Sequence, residues 1–491
     1  MKKIITALFG LVVISTASIA QTAPATTTPT TSTTPAPVAE QKITIFGFVR
    51  NDVFLNSRKN LDLRDGALSI YPLDATNLPT KDATGTTLIN NLNDDNNAIS
   101  QLGFSAIITR LGVKFAGVTA FGAKASGMLE TDFFGISNGV AGTSGGGTEN
   151  LLRLRHAYVS LDWEKTQLLV GQYWISNFIP KCFPATTAFS TGIPYNPFGF
   201  VPQVRLTQKL SSDISLMGML FGYDIAGFSP AGAFQSGTGV DAAKYAGLPS
   251  FATQLGFENK KFLVTVGIEG STIRPRITDT QNPNTGVYGG TGFPNVSRNI
   301  STNLSTINFL AFAKLTAKNL TVKAYTNYGQ SYTQYAGLGG LVEYRDVSSG
   351  AWKYVPQNQF NLWGELTVTK SKKYQPAIFV GYLKNMGLAS PINKSSVLGA
   401  TLSFLGRGIN NARSFDNMLR IAPRFDIYSG KMKISLEYEY SNMLWADTDG
   451  TVMSSTGDAA QSTSFKAGTG QLARSFNAVN SRFGAVVVYN F

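Results

Sequence analysis

Connection length in this chain alternates between short and long from end to end, and few folds allow that. Period-two alternation of apolar and polar residues predicts sixteen strands. They fall at 42–55, 99–116, 120–134, 150–162, 166–178, 201–210, 214–225, 249–258, 262–271, 303–316, 320–332, 358–369, 376–386, 416–428, 432–444 and 479–491. Seven short connections are expected at Gly117–Thr119, Trp163–Lys165, Ser211–Asp213, Asn259–Lys261, Ala317–Asn319, Lys370–Gln375 and Ser429–Lys431. Between them lie eight long ones, at 56–98, 135–148, 179–200, 226–248, 272–302, 333–357, 387–415 and 445–478. Tight turns on one side and long loops on the other imply an all-β fold, a transmembrane antiparallel β-barrel of about 16 strands. An even strand number puts both barrel ends on the short-turn, periplasmic side.

The last strand points the same way. In Arg482–Phe491, Phe483, Val487, Tyr489 and Phe491 share one face, and Arg482, Gly484 and Asn490 the other. A terminal strand in a soluble sheet usually ends in polar, frayed residues. An aromatic end suits a closed barrel whose last strand pairs with its first. It also resembles the C-terminal signal that the outer-membrane barrel assembly machinery recognises. An ordinary edge strand is the other reading of this stretch alone.

Composition narrows the compartment. Only 14% of the 491 residues are charged, 43% are hydrophobic, and Phe, Tyr and Gly number 32, 19 and 49. Outside the first segment no apolar run reaches the roughly 20 residues of a spanning helix. Met1–Ala20 reads as a signal peptide: Lys2 and Lys3, an apolar core over Ile4–Ile14, and Ser18-Ile19-Ala20 before Gln21. Its removal takes the formal charge from +13 to +11. Residues 21–41 are a Thr/Pro-rich periplasmic spacer, and 42–491 form the barrel. Cys182 is the single cysteine and has no partner for an internal disulfide. A basic balance in an exported protein indicates anionic solutes or acidic lipids and glycans as partners, with no nucleic acid.

Charge placement then suggests what the lumen carries. A barrel this wide is expected to hold an aqueous channel. In Lys431–Tyr440, Met432, Ile434, Leu436, Tyr438 and Tyr440 oppose Lys433, Ser435, Glu437 and Glu439. The first face is assigned to lipid and the second to water, because charges on the lipid face are costly near mid-membrane. By the same parity the channel-lining, anion-binding candidates are Arg110, Lys124, Glu130, Asp132, Arg153, Arg155, Arg205, Arg420 and Arg424. Phe46, Phe48 and Phe54 share the parity of Arg50 and Asp52, which leaves the first strand ambiguous. Rings of Arg and Lys favour anions. The competing reading is that these arginines only neutralise Glu130, Asp132 and Asp426. The 179–200 loop is too apolar for a solvated surface, with four prolines and five aromatics. It is expected to fold inward and narrow the channel, with Lys181 near its start, or else to pack on a neighbouring subunit.

Five stretches together resemble the DcaP-like porins of the bacterial outer membrane. They are Phe46–Arg58, Glu130–Gly135, Leu151–Val159, Leu168–Phe178 and Pro202–Thr207, in the family's order over the first third of the barrel. The resemblance implies a homotrimeric, sixteen-stranded diffusion channel for small anionic solutes, often dicarboxylates. It implies that Arg153, Arg155 and Arg205 line the channel. The Thr/Pro spacer replaces the helical segment that the family's better-known members carry before the barrel.

Other classes find less support. A membrane hydrolase needs a histidine base. The only histidine, His156, has parity opposite to Arg153 and Arg155 and is expected to face lipid or a subunit contact. No Cys/His cluster suggests zinc. Asp94 and Asp95 lack the spacing of a calcium loop. No cofactor is called for. A plugged adhesive or wall-tethering barrel is the structural alternative to an open channel.

Overall fold

A computed structural model describes residues 41–491 except 64–65, 76–79, 82–86, 89–94, 136–149, 189–190, 223–238, 282–295, 331–336, 391, 393–396, 408–412 and 448–474. The signal segment and all but the last residue of the spacer therefore lie outside the described residues. So do Asp94 and Phe189.

Sixteen antiparallel strands form one closed sheet. They are β1 (Lys42–Asn56), β2 (Arg110–Ala120), β3 (Ala123–Gly135), β4 (Leu151–Asp162), β5 (Thr166–Trp174), β6 (Phe200–Lys209), β7 (Ile214–Phe221) and β8 (Ser250–Glu258). The second half has β9 (Phe262–Ile273), β10 (Leu304–Thr316), β11 (Leu320–Gln330), β12 (Trp352–Val368), β13 (Tyr374–Leu388), β14 (Arg413–Ser429), β15 (Met432–Asp447) and β16 (Ser475–Asn490). Each strand pairs with its neighbours in sequence. Closure comes from β1 against β16, in register from Phe48↔Asn490 to Asn56↔Arg482. The amide of Phe491 donates to the Gly47 carbonyl at 3.1 Å, so pairing runs to the last residue. The upper part of β1 is flanked on its other side by the short strand Gln101–Ser105 and the lower part by β2. All sixteen predicted strands are present.

One predicted turn is displaced. The first short connection is Phe121-Gly122, not Gly117–Thr119, with φ of 52° and 72°. Positive φ at both central residues is the two-residue hairpin that matches strand twist. Gly117, at φ 95°, instead sits in a bulge where register shifts between Phe115 and Val118.

The outer face is apolar and exposed. Val49, Val53 and Leu55 on β1, Val264 and Val266 on β9, and Met432, Ile434 and Leu436 on β15 all point outward. Aromatics mark two levels: Phe257, Phe262, Tyr374 and Tyr489 near the short turns, and Phe251, Phe309 and Tyr328 higher up. Such belts sit at the two membrane interfaces of outer-membrane barrels. On the long-loop side, Gly339–Asp346 pairs with the upper part of β12 and with Val397–Arg407, raising the wall there.

The inner face departs from a uniformly polar lining. Met217, Met219 and Phe221 on β7 point in, as do Leu310 and Phe312 on β10, Trp363 on β12 and Phe379 on β13. They join Ile193, Tyr195, Phe198 and Phe200 from the segment after β5 in one buried cluster. Simple alternation does not predict this dry wedge, because its other half is a loop distant in sequence.

Candidate functional site

The site is the barrel interior, and two inward-folded segments shape it. The first is 175–199, as expected for the apolar loop. Non-helical backbone at membrane depth needs protein or water partners for its amides and carbonyls. Wall charges supply them. Ser176 and Asn177 donate to Glu269, Asn177 at 2.9 Å. Lys323 Nζ donates to the Phe183 carbonyl (2.9 Å), and the Ala185 amide donates to Glu365 (2.8 Å). Thr187 donates its amide and hydroxyl to Glu437, at 2.9 and 2.7 Å. Arg50 donates to the Thr187 carbonyl, Arg420 to that of Ile193, and the Trp363 indole to Asn196. A Cβ on Gly381 would lie 2.7 Å from the Tyr195 ring, so only glycine admits the loop there.

The second segment is the hairpin Asn60–Leu63 with Leu68–Pro72, read from sequence only as part of a long loop. Leu68 and Ile70 are buried, and Tyr71 meets Trp445 edge-on at 5.7 Å. Arg420 donates to the Ile70 carbonyl (3.1 Å) and Arg482 to that of Gly66 (3.3 Å). The signal was there: Leu61-Asp62-Leu63 and Leu68-Ser69-Ile70 alternate around Asp65-Gly66, a hairpin-turn pair.

The predicted residues do not form one ring. Arg110, Glu130, Asp132, Arg153 and Arg155 gather on β2–β4. Arg153 reaches Asp132 at 2.7 Å; Arg155 reaches Glu130 at 2.8 Å and Asp132 at 2.9 Å. Arg110 lies 3.6 Å from Glu130. The guanidinium groups also stack: Arg153 on Phe134, Arg155 on Phe200 and Arg110 on Phe48. Arg153, Arg155, Glu130 and Asp132 are all buried. Buried charges of this kind must be paired and hydrogen-bonded, and these are. Arg205 lies beside them on β6 and is only partly buried. It donates to Gln203 Oε1 (2.9 Å) and the Trp174 carbonyl (2.6 Å) and has no carboxylate partner among the described residues.

Arg420 and Arg424 stand on β14, four to six strands round the barrel from the β2–β4 group. Arg424 meets Glu365 and Asp426 at 3.1 Å, and Arg420 meets Glu439 at 3.1 Å. Lys124 and Lys181 lie near the short turns, both exposed. Lys181 pairs with Glu258 at 2.7 Å. Glu365, Glu437 and Trp363 were not singled out from sequence, because their importance comes from the loop they hold.

The first strand's ambiguity resolves into stacking. Phe46, Phe48 and Phe54 do face inward with Arg50 and Asp52, each carrying a cation: Lys114 at 4.6 Å, Arg110 at 4.9 Å and Arg482 at 4.0 Å from the ring centroids.

His156 is a correction. It does not face lipid; it is buried inside, between Tyr173, Trp174 and Phe200. A bulge lets Glu130 oppose His156 while Thr131 opposes Leu154, so Arg155 is the extra residue and the phase of β4 reverses after it. Tyr158 and Ser160 follow His156 to the inner side, and Val159 turns to lipid. Gly171, at φ 132°, faces the altered strand; a Cβ there would meet the Ala157 carbonyl at 2.2 Å. Asp95, considered for calcium, is engaged by Arg58 at 2.5 Å.

A closed sixteen-stranded sheet with an apolar belt outside and charges inside defines a bacterial outer-membrane β-barrel. Its fold is similar to the crystal structure of the outer-membrane channel DcaP of Acinetobacter baumannii, at 15% identity, TM-score 0.56, covering 92% of this chain and 97% of that one. Similarity also extends to OmpT of Vibrio cholerae (9% identity, TM-score 0.47, 92% and 98% covered) and an anion-selective porin from Comamonas acidovorans (10%, 0.44, 92% and 100%). No family model and no curated protein matches the sequence. The resemblance read from five motifs of the first strands thus extends, in fold, over nearly the whole barrel.

Proposed function

We propose that this chain is an outer-membrane porin through which small hydrophilic solutes diffuse passively, with a preference for anions such as dicarboxylates. One observation carries the preference: most interior carboxylates are buried, while the interior charges that keep solvent contact are mostly cations. Asp52, Glu130, Asp132, Glu269, Glu365, Asp426, Glu437 and Glu439 are all buried. Arg110, Lys114, Lys124, Arg205 and Lys433 keep exposure; half-buried Asp62 on the inward hairpin and Asp162 near the short-turn rim are the acidic exceptions. A permeating ion meets the accessible charges first, and their field favours anions. The site residues named above act in this reading as the channel's charged lining, the buried pairs holding shape and the partly exposed cations meeting solute.

Export by the first 20 residues, a periplasmic spacer to residue 41, a homotrimer in outer-membrane lipid, and assembly through the last strand complete the proposal. No reaction is assigned to it. A plugged barrel is the second reading, favoured by the two inward segments and the buried wedge. Planar-bilayer recording separates them. The porin gives a stable current whose reversal potential in a salt gradient has the anion sign; a silent barrel overturns it. Arg153→Ala with Arg155→Ala leaves two carboxylates in their place and moves the reversal potential towards cations. An unchanged potential removes these residues from the selectivity.

A further inference from the structure

At the short-turn end, a cavity of about 340 Å³ opens between the start of the inward loop and strands β8–β11. It is lined by Lys181, Lys260, Lys261, Lys314 and Lys323, with Glu258 as the lone carboxylate. Two of these cations are already engaged: Lys181 by Glu258 at 2.7 Å, and Lys323 by Glu365 at 2.9 Å. Lys260, Lys261 and Lys314 have no ion-pair partner among the described residues. Lys314 stands directly opposite Lys323 in the β10–β11 register. Like charges at facing positions destabilise a sheet; Glu365 offsets Lys323 from the next strand, and Lys314 is left without a counter-charge among the described residues. Pro180, Phe183 and Leu263 wall one side, while Lys181, Lys260 and Lys261 are exposed at the mouth.

We propose that this cavity is a binding site for a compact phosphoryl oxyanion at the periplasmic mouth. Its charge and shape suit the ligand class. Five lysines face one carboxylate, and the interior arginines, whose fork matches carboxylate and phosphate alike, lie elsewhere. An ammonium is a point charge with rotatable donors and adapts to a tetrahedral phosphate. The volume is at the low end of small-ligand pockets, roughly 300–1,000 Å³, and is too large for a halide alone. The site deepens the anion-channel reading but does not require the pore to conduct.

Isothermal titration of the full chain in neutral detergent with pyrophosphate tests it. Saturable binding at one site per chain is expected, weakened at least tenfold by Lys314→Gln and by Lys261→Gln. Lys353→Gln, on the long-loop side, should bind like the unaltered protein. Heat-modified gel mobility verifies that each variant has folded. Competition by short-chain phosphatidylglycerol would assign the phosphoryl group to lipid, and its failure to a soluble ion. Absent binding, or equal affinity in folded Lys314→Gln, overturns the site. Binding by a barrel that is silent in bilayers would retain the site and discard the channel; current without binding would do the reverse.

Discussion

The wall built by β2–β6 and the wall built by β12–β16 both bury charges at mid-barrel but use them differently. On the first, Arg153 and Arg155 are neutralised by Asp132 and Glu130 on the adjacent strand and stacked on aromatics. The pairs close within the wall. On the second, Glu365, Glu437 and Arg420 extend into the lumen and bind the backbone of the inward loop. The same residue types therefore stiffen one wall and position a constriction from the other. Parity says that a charge faces inward; its partner says which task it has.

Glu365→Ala should separate the two walls most strongly. It removes the acceptor of the Ala185 amide and leaves Lys323 and Arg424 with fewer counter-charges. Breaking a buried pair in this way costs about 3–5 kcal/mol. Urea unfolding should show that loss, and single-channel current should rise as the loop is freed. Cys182 gives a second readout. Its thiol is buried in the loop, and burial pushes its pKa up to about 11. A thiolate at that pKa is scarce at pH 8, so a water-soluble maleimide should label the unaltered protein slowly and Glu365→Ala faster.

Asp132→Ala should match that destabilisation, again about 3–5 kcal/mol, because both Arg153 and Arg155 lose a partner. Labelling of Cys182 should stay slow, since among the described residues no bond runs from Asp132 to the 179–199 stretch. Fast labelling would show that the walls are coupled and would dissolve the distinction. Arg205→Gln should cost less, about 1 kcal/mol, because it loses hydrogen bonds and no ion pair. Its effect belongs in the reversal potential, which should move towards cations. If selectivity holds, the partly exposed cations are not what a permeating ion senses.

The smallest expected effect lies above both walls. Lys353 and the hydroxyls of Ser348 and Ser349 hydrogen-bond Asp346 and hold its carboxyl well below the usual range. A depressed carboxyl stabilises the folded hairpin above its unfolded pKa of about 3.9, and that contribution fades as pH falls through the lower folded value. Pepsin should therefore spare the 346–352 turn at pH 4 and cut it progressively faster as pH falls further. Lys353→Gln should move the onset of cutting upward in pH.

Much of the lipid-facing architecture was legible in the residues. Strand number and the outward side of Phe262-x-Val264-x-Val266 follow from a period of two, which each strand records locally. The displaced turn at Phe121-Gly122 shows the limit of such reading even nearby: glycine marks both a turn and a bulge, and only backbone φ distinguishes them. The interior was less legible. Nothing in Arg153-Leu154-Arg155-His156 announces that the phase of β4 reverses, because a bulge is paid out against the neighbouring strand.

Residue patterning alone shows that this chain closes as a membrane barrel, which side of most strands meets lipid, and that arginines gather within. Those properties depend on residues a few positions apart. Tertiary structure alone decided which charges are silenced in pairs, which hold a folded-in loop, and which keep water. The contacts that hold the loop join groups more than a hundred residues apart, such as Thr187 with Glu437, and no local pattern encodes such a meeting.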